Sequence, residues 1–286
     1  MIDINALISL LTLEQKDTHR FIGQNYKTAW GRVFGGQVLG QSLHAAYQTV
    51  PKDRIAHSMH GYFILGGDIN IPIEYHVDAI RDGKSFTTRR VVAFQKGKAI
   101  FNMAASFHLK EEGVDHQITM PNVLTPELLL TDIQQAEALK VSDPERFERL
   151  MKAHPQIFEF RPVGKAIYLE NRNSSPLSHI WFKTKVKIVA DISLQHQFLA
   201  FASDYSLLLS ATLPHRKVLE NAKMYYASLD HALWFHRDFK IDDWLLYAIE
   251  SPSASNARGF SRGSIFDRSG KMIASSSQEG LMRKYN

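Results

Sequence analysis

Apolar and polar positions along this chain follow two periods, and the alternation between them predicts its elements. Residues 57–65 and 73–80 are rich in aromatic and β-branched side chains and predict strands. Residues 84–108 read as strand, tight turn at Gly97-Lys98, strand. Leu7, Leu10 and Leu11 give residues 5–20 an apolar stripe at helical spacing. A second helix starts through paired glycines at Gly35-Gly36 and runs through Gln37, Gly40 and Gln41 towards Tyr47, with Pro51 just beyond its end. Its small residues invite a close neighbour, either a sheet or a ligand. Residues 110–155 are polar, punctuated by Pro121, Pro126 and Pro144, and carry one predicted helix over 143–153. Strands follow around 157–163 and 178–189, then a helix over 195–209, then strands through 224–283 that end in a hairpin turning at Asp267–Lys271.

Helix, strands and Gly-Lys hairpin therefore occur twice, in the same order. Such repetition points to an internal duplication. The expected architecture is α+β: a unit over 1–110, a linker over 111–154 and a second unit over 155–286, with a site where the two meet. Superposing the units sets Phe34–Gln37 opposite Phe201–Asp204.

Composition narrows the function. The chain has 286 residues, 44% hydrophobic and 22% charged, an ordinary globular balance. No apolar run approaches the ~20 residues of a membrane span. The N-terminus lacks a basic region before its short apolar stretch, so no secretory signal is expected, and the C-terminus is not a peroxisomal address. The absence of cysteine excludes disulfides, Cys-ligated metals and a Cys nucleophile, and is compatible with a cytoplasmic location. The net charge is +5, but the cations are scattered; Lys84, Arg89 and Arg90 on one hairpin are the densest group. That distribution fits a small anionic ligand and gives no reason to expect nucleic acid.

Asp204 stands out chemically. It shares helical spacing with Phe201 and Leu208, and a carboxylate on an apolar stripe needs a partner or a task. A buried carboxylate has a raised pKa and suits general-base work; a cap or surface flank is the plainer alternative. Gly259-Phe260-Ser261-Arg262-Gly263 matches the nucleophile-elbow pattern but leads into a strand, with every histidine upstream of it. His236-Arg237-Asp238 resembles a kinase catalytic loop without its companions. His57 and His60 lack a third metal ligand beside them and are expected to line or support a pocket.

The stretch Ser228–Arg237, then Trp244–Tyr247, then Glu250–Phe260, then Ala274–Arg283 resembles the type II (TesB) acyl-CoA thioesterases. So do Gly31-Arg32-Val33-Phe34-Gly35-Gly36-Gln37 and His57-Ser58-Met59-His60. The similarity spans nearly the whole chain and is weakest over 110–175. It implies a double hot-dog fold, each unit an antiparallel sheet wrapped around one long helix. It further implies hydrolysis of fatty acyl-CoA to acid and coenzyme A, no cofactor, and an Asp, Thr/Ser, Gln trio that falls here on Asp204, Ser228 and Gln278. Serine replaces the threonine usual at its position; it keeps the hydroxyl and loses the rotamer restriction. These three groups can hold one water, with Asp204 taking its proton. Backbone N–H groups near Gly35-Gly36, or at the start of the 195–209 helix, are the candidates for stabilising the oxyanion. Gly35, Gly36, Gln37, His57, His60, Arg89, Arg90 and Arg258 are the candidate substrate-binding residues, the cations meeting the phosphates of coenzyme A. Open sheet edges point to a homo-oligomer, and the resemblance implies a dimer or tetramer. An acyl-CoA-binding module and a hydroxyacyl-thioester dehydratase are the rival readings.

Overall fold

A computed structural model describes residues 4–154, 156–219 and 222–285. The first half comprises α1 (Ile4–Leu11), β1 (Glu14–Asp17), β2 (Arg20–Gly23), α2 (Gly35–Tyr47), β3 (Ile55–Phe63), β4 (Ile73–Asp82), β5 (Phe86–Gln95) and β6 (Lys98–His108). Three short helices connect the halves: α3 (Asp132–Ala136), α4 (Leu139–Ser142) and α5 (Pro144–Ala153). The second half contains β7 (Phe158–Pro162), β8 (Leu177–Thr184), α6 (Ile192–Ser203), α7 (Arg216–Leu219), β9 (Met224–Ser228), β10 (Asp230–Phe235), β11 (Leu245–Ser255), β12 (Arg258–Asp267) and β13 (Met272–Lys284).

The strands form one antiparallel sheet in the order β1-β2-β4-β5-β6-β3-β10-β13-β12-β11-β8-β7, with β9 on the far end of β13. That order is a palindrome. Each strand of the first half has a counterpart at the mirrored place in the second, and β3 against β10 is the seam. The hairpins seen in the sequence occupy equivalent places, β5/β6 and β12/β13, with Gly97 and Gly270 both at positive φ in their turns. The molecule is a double hot-dog.

Both long helices lie on the inner face of this sheet and pack antiparallel against each other. A Cβ at Gly36 would come within 2.3 Å of the Phe201 carbonyl oxygen, and one at Gly40 within 3.1 Å of that of Gln197. The small residues of α2 thus admit the partner helix, neither the sheet nor the ligand that the sequence suggests. Further along, the Tyr47 hydroxyl meets His196 Nδ1 at 2.8 Å. Aromatic side chains fill the space around the helices: Phe158, Phe182, Phe198 and Phe201 from the second half, Phe21, Phe101 and Phe107 from the first.

Two helix boundaries differ from the sequence reading. The first helix stops at Leu11, where the Thr12 hydroxyl bonds the Ile8 carbonyl, and residues 14–23 form an edge hairpin instead. β1 is exposed at every position, so its polar residues carry no periodic signal. The helix expected to reach 209 stops at Ser203. Asp204 is its C-cap, and Ser206 turns the chain away at φ +66°.

Candidate active site

Asp204 belongs to the end of α6, but its carboxylate serves the start of α2. Phe34 at the N-cap of α2 has no capping side chain. In its place the Gly36 N–H donates to Asp204 Oδ2 at 2.9 Å. A helix N-terminus leaves unpaired N–H groups and a partial positive charge, both of which favour a carboxylate. Gly35 must be glycine here, since a Cβ would lie 2.7 Å from Asp204 Oδ2. The site is therefore shared by the two halves, as the duplication suggests.

Ser228 ends β9 and Gln278 lies on β13. Pairing of Ser228 with Gly280 brings the two side chains together, and Gln278 Nε2 donates to Ser228 Oγ at 2.6 Å. Both also act on the nearby Asp204 carboxyl, each drawing its pKa down. The three residues taken from the resemblance thus form one cluster.

A fourth residue stands behind them. In β10 the inward positions are His231, Leu233 and Phe235, and His231 is buried. Its Nδ1 meets Gln278 Oε1 at 2.8 Å and its Nε2 meets Ser203 Oγ at 2.9 Å. A carbonyl oxygen only accepts, so Nδ1 carries the proton, and this contact fixes which end of the Gln278 amide faces Ser228. Sequence reasoning missed His231, although strand alternation places it on the inner face.

Burial raises the Asp204 pKa; the nearby His231, the Gly36 N–H, Gln278 and Ser228 each pull it part of the way back. Burial lowers the pKa of His231 in turn. A neutral imidazole thus supports a carboxylate of increased basicity.

Asp204, Ser228 and Gly35 line a cavity of about 720 Å³ whose walls are mostly apolar. Phe34 and Val38 of α2, Phe63 of β3 and Phe101 of β6 form one side. Leu150 and Met151 of α5 form part of the other, so the segment expected to be a mere linker is a wall of the site. Arg32 also lines this cavity, hydrogen-bonded to the Tyr225 hydroxyl. A second cavity of about 590 Å³ adjoins it across Trp30 and Tyr205 and contains Lys27 and Lys152.

Most of the other candidate binding residues lie elsewhere. Gln37 is buried below the site and bonds Asn25, Gln24 and Gln41. His57 bonds Ser106 Oγ at 2.8 Å, and the His60 ring stands edge-on to Trp234; neither lines a cavity described above. Arg89 falls on the buried phase of β5 at 3% exposure, where it bonds Asp82, Thr49 and the Arg81 carbonyl, so no phosphate can reach it. Arg90 pairs with Asp78 and Arg258 with Glu279, both away from these cavities. The Gly259–Gly263 run lies within β12, with Ser261 buried against Ser210 Oγ.

Comparison with known proteins agrees with this architecture. A family model described as acyl-CoA thioesterase matches residues 153–281, and one described as acyl-CoA thioesterase N-terminal domain matches 26–108. The chain is 40% identical over 284 residues to acyl-CoA thioesterase 2 of Haemophilus influenzae, covering 98% of each chain. It superposes on the crystal structure of the acyl-CoA thioesterase II TesB2 of Mycobacterium marinum with a TM-score of 0.81 at 36% identity, covering 98% of this chain and 99% of that one. A hot-dog protein of unknown function from Alicyclobacillus acidocaldarius shares the fold, with a TM-score of 0.77 at 15% identity over 98% and 99% of the two chains. The chain belongs to the acyl-CoA thioesterase family.

Proposed function

We propose that this protein hydrolyses the thioester of fatty acyl-CoA by means of a water held between Asp204, Ser228 and Gln278. The observation that carries the reading is a basic carboxylate and a hydroxyl at the wall of an apolar cavity, with the oriented amide of buried Gln278 held against the hydroxyl from behind. The acyl chain lies in that cavity. Water attacks the thioester carbon, its proton passes to Asp204, and the tetrahedral oxyanion collapses with release of the coenzyme A thiolate, which takes the proton from Asp204. A raised pKa makes Asp204 a better proton acceptor than a solvated carboxylate.

The Gly36 N–H is already engaged by Asp204, and the start of α6 is at the opposite end of that helix, capped by Asp191. This leaves Gly35, which lines the cavity and whose first-turn N–H has no carbonyl one turn back, as the oxyanion donor. For the nucleotide we favour Arg32 at the cavity and Lys27 and Lys152 in its neighbour over the paired hairpin cations.

The dehydratase reading gains one point from the structure, because a histidine does approach the acid, from β10. Both His231 ring nitrogens, however, are engaged by Gln278 and Ser203, and burial lowers its pKa, so it is ill placed to exchange a proton with substrate. A binding module would have no use for a buried basic carboxylate. We divide the chain into hot-dog units over 1–110 and 155–286 with 111–154 between them, and expect a dimer or tetramer. No described helix is long and apolar enough to cross a membrane. A cytoplasmic location is proposed, with which the lack of cysteine is compatible.

A thiol reagent in the presence of a panel of acyl-CoAs tests the activity. Steady release of coenzyme A from medium- or long-chain substrates is expected. Stoichiometric binding without release would leave the binding module, and conversion of a 3-hydroxyacyl-CoA to its enoyl form without thiol release would favour the dehydratase.

A further inference from the structure

The reacting groups and the outer surface of the sheet are joined round the edge of one strand. β13 turns Ser276, Gln278 and Gly280 inward, and Ser228, opposite Gly280, shares that face. Tyr225 and Ala227 lie opposite Arg283 and Leu281 on the other face, since successive residues of a strand alternate. Tyr225, Ala227 and Leu281 nevertheless line the same cavity as Ser228. The cavity therefore wraps round β9. It can do so because β9 pairs with β13 alone among the described strands, which leaves its other edge free. The Phe63 N–H closes that edge at one end by donating to the Leu229 carbonyl at 2.9 Å. Ile64, Leu65 and Gly66, which continue from this bond, line the cavity too.

Cations collect where the passage opens. Arg32 donates to the Tyr225 hydroxyl, and its guanidinium lies 5.2 Å from the centre of the Tyr225 ring. Lys223 Nζ lies 5.4 Å from the centre of the Tyr285 ring, which stands edge-on to Tyr225 at 6.0 Å. Arg283 is exposed and sits directly across from Tyr225 in the β9–β13 ladder. An aromatic ring positions a cation without cancelling its charge. Among the described residues none of Arg32, Lys223 and Arg283 has a carboxylate partner. Arg89, Arg90, Arg258 and Lys152 are instead paired with Asp82, Asp78, Glu279 and Glu148.

Positioned, uncompensated cations at the end of a passage from the reacting carbon fit a group of high negative charge. The thiol side of an acyl-CoA ends in such groups, a diphosphate and a ribose 3′-phosphate. We propose that the pantetheine arm leaves the site round the free edge of β9, and that Lys223 and Arg283 bind the 3′-phosphate of coenzyme A there, with Arg32 at the diphosphate. This rests on the thioesterase reading above. It keeps Arg32 for the nucleotide and assigns the 3′-phosphate to this face rather than to Lys27 and Lys152.

The test compares decanoyl-CoA with decanoyl-3′-dephospho-CoA, substrates that differ by one phosphate. Thiol release is measured at about 0.15 M salt, where distant charges are screened. The full-length protein should favour decanoyl-CoA by about tenfold in kcat/KM, mainly through KM, as expected for charge-assisted hydrogen bonds to one phosphate. In the Lys223→Ala/Arg283→Ala double variant that ratio should fall to about one, with a thermal melt to confirm folding. Arg283→Gln alone, which keeps the ladder and a side chain of similar reach, should lower the ratio part of the way. If decanoyl-CoA is hydrolysed without discrimination, or the preference survives in these variants, the subsite is overturned while the thioesterase reading stands. Loss of the preference in Lys27→Ala/Lys152→Ala instead would overturn it in favour of the neighbouring cavity. If neither substrate is hydrolysed, both readings fall.

Discussion

At the scale of single residues, the account assigns different tasks to neighbouring groups. On the proposed mechanism Ser228 and Gln278 orient the water while His231 holds Gln278, so Ser228→Ala and Gln278→Ala should each lower kcat by less than the loss of the base. The double variant should lose far less than the product of the two, because both act on one water. Measured kcat values that multiply would show two independent functions. Arg32→Ala should raise KM for acyl-CoA at low salt with little change in kcat; an unchanged KM would place the phosphates elsewhere. The pH dependence has a definite sign. Below the Asp204 pKa the carboxyl is protonated and cannot accept, so kcat/KM should rise with pH through a value above the 3.8 of an ordinary Asp. A profile whose acid limb lies at or below 3.8 would mean that another group takes the proton. Asp204 was legible in the sequence because a carboxylate among phenylalanines needs an explanation. Ser228 and Gln278 were legible only by resemblance, being polar residues in strands with no pattern to separate them from Ser276 or Ser277. Arg89 misled because its charge invited a phosphate, whereas the alternation of β5 turns it inward.

At the scale of elements, contact between α2 and α6 joins packing to catalysis. Gly36→Ala forces its new methyl against the Phe201 carbonyl and the Phe34 ring, and both are held in place. Overpacking of this kind costs about 1–3 kcal/mol. Displacing α2 also displaces the N–H that Asp204 accepts, so Gly36→Ala should lower both Tm and kcat. Gly40→Ala meets the flexible end of Leu11 at 2.8 Å and the Gln197 carbonyl at 3.1 Å, and should lower Tm less while sparing kcat. Equal loss of activity in the two would break the link. On α6, His196 stacks on Phe235 with ring centroids 3.9 Å apart, and burial pushes its pKa down to about 3. The folded state therefore resists the proton that the unfolded chain takes up below 6.5. Stability from this group is intact above 6.5 and is lost as pH falls towards 3, by about 1.4 kcal/mol per pH unit. His196→Gln, which keeps an acceptor for Tyr47, should flatten the dependence of Tm on pH across that window; an unaltered slope would assign acid sensitivity to other groups. The helix periods announced α2, α5 and α6, but not where α6 stops, since leucines 207–209 continue its apolar run while the backbone turns at Ser206.

At the scale of the whole molecule, the seam between β3 and β10 makes the two halves one sheet, and the site needs atoms from both. Residues 1–110 expressed alone would expose the β3 edge and the face of α2 that covers α6. Such a fragment should lack a cooperative thermal transition; a well-folded soluble fragment would show the halves to be independent. The edge strands β1 and β7 remain open in the single chain, and light scattering at micromolar concentration should give a particle larger than 32.6 kDa. The duplication was legible because each Gly-Lys hairpin marks the same place in its unit. The palindromic pairing was not, because which strand edges meet depends on partners more than a hundred residues apart. The role of the connecting segment was hidden for the same reason, as Leu150, Met151 and His154 read as a polar helix until the cavity beside them is seen.

The central claim, that Asp204 takes the proton from the attacking water, is tested most directly by Asp204→Asn. Asparagine keeps the oxygen that accepts from the Gly36 N–H, so the fold and the α2 terminus should survive, and a thermal melt checks that they do. Single-turnover release of coenzyme A from a medium-chain acyl-CoA then reports the chemical step alone. The account predicts a rate lower by about 10²–10⁴ with substrate binding little changed. A well-folded Asp204→Asn protein that releases coenzyme A at a near-normal rate would contradict it.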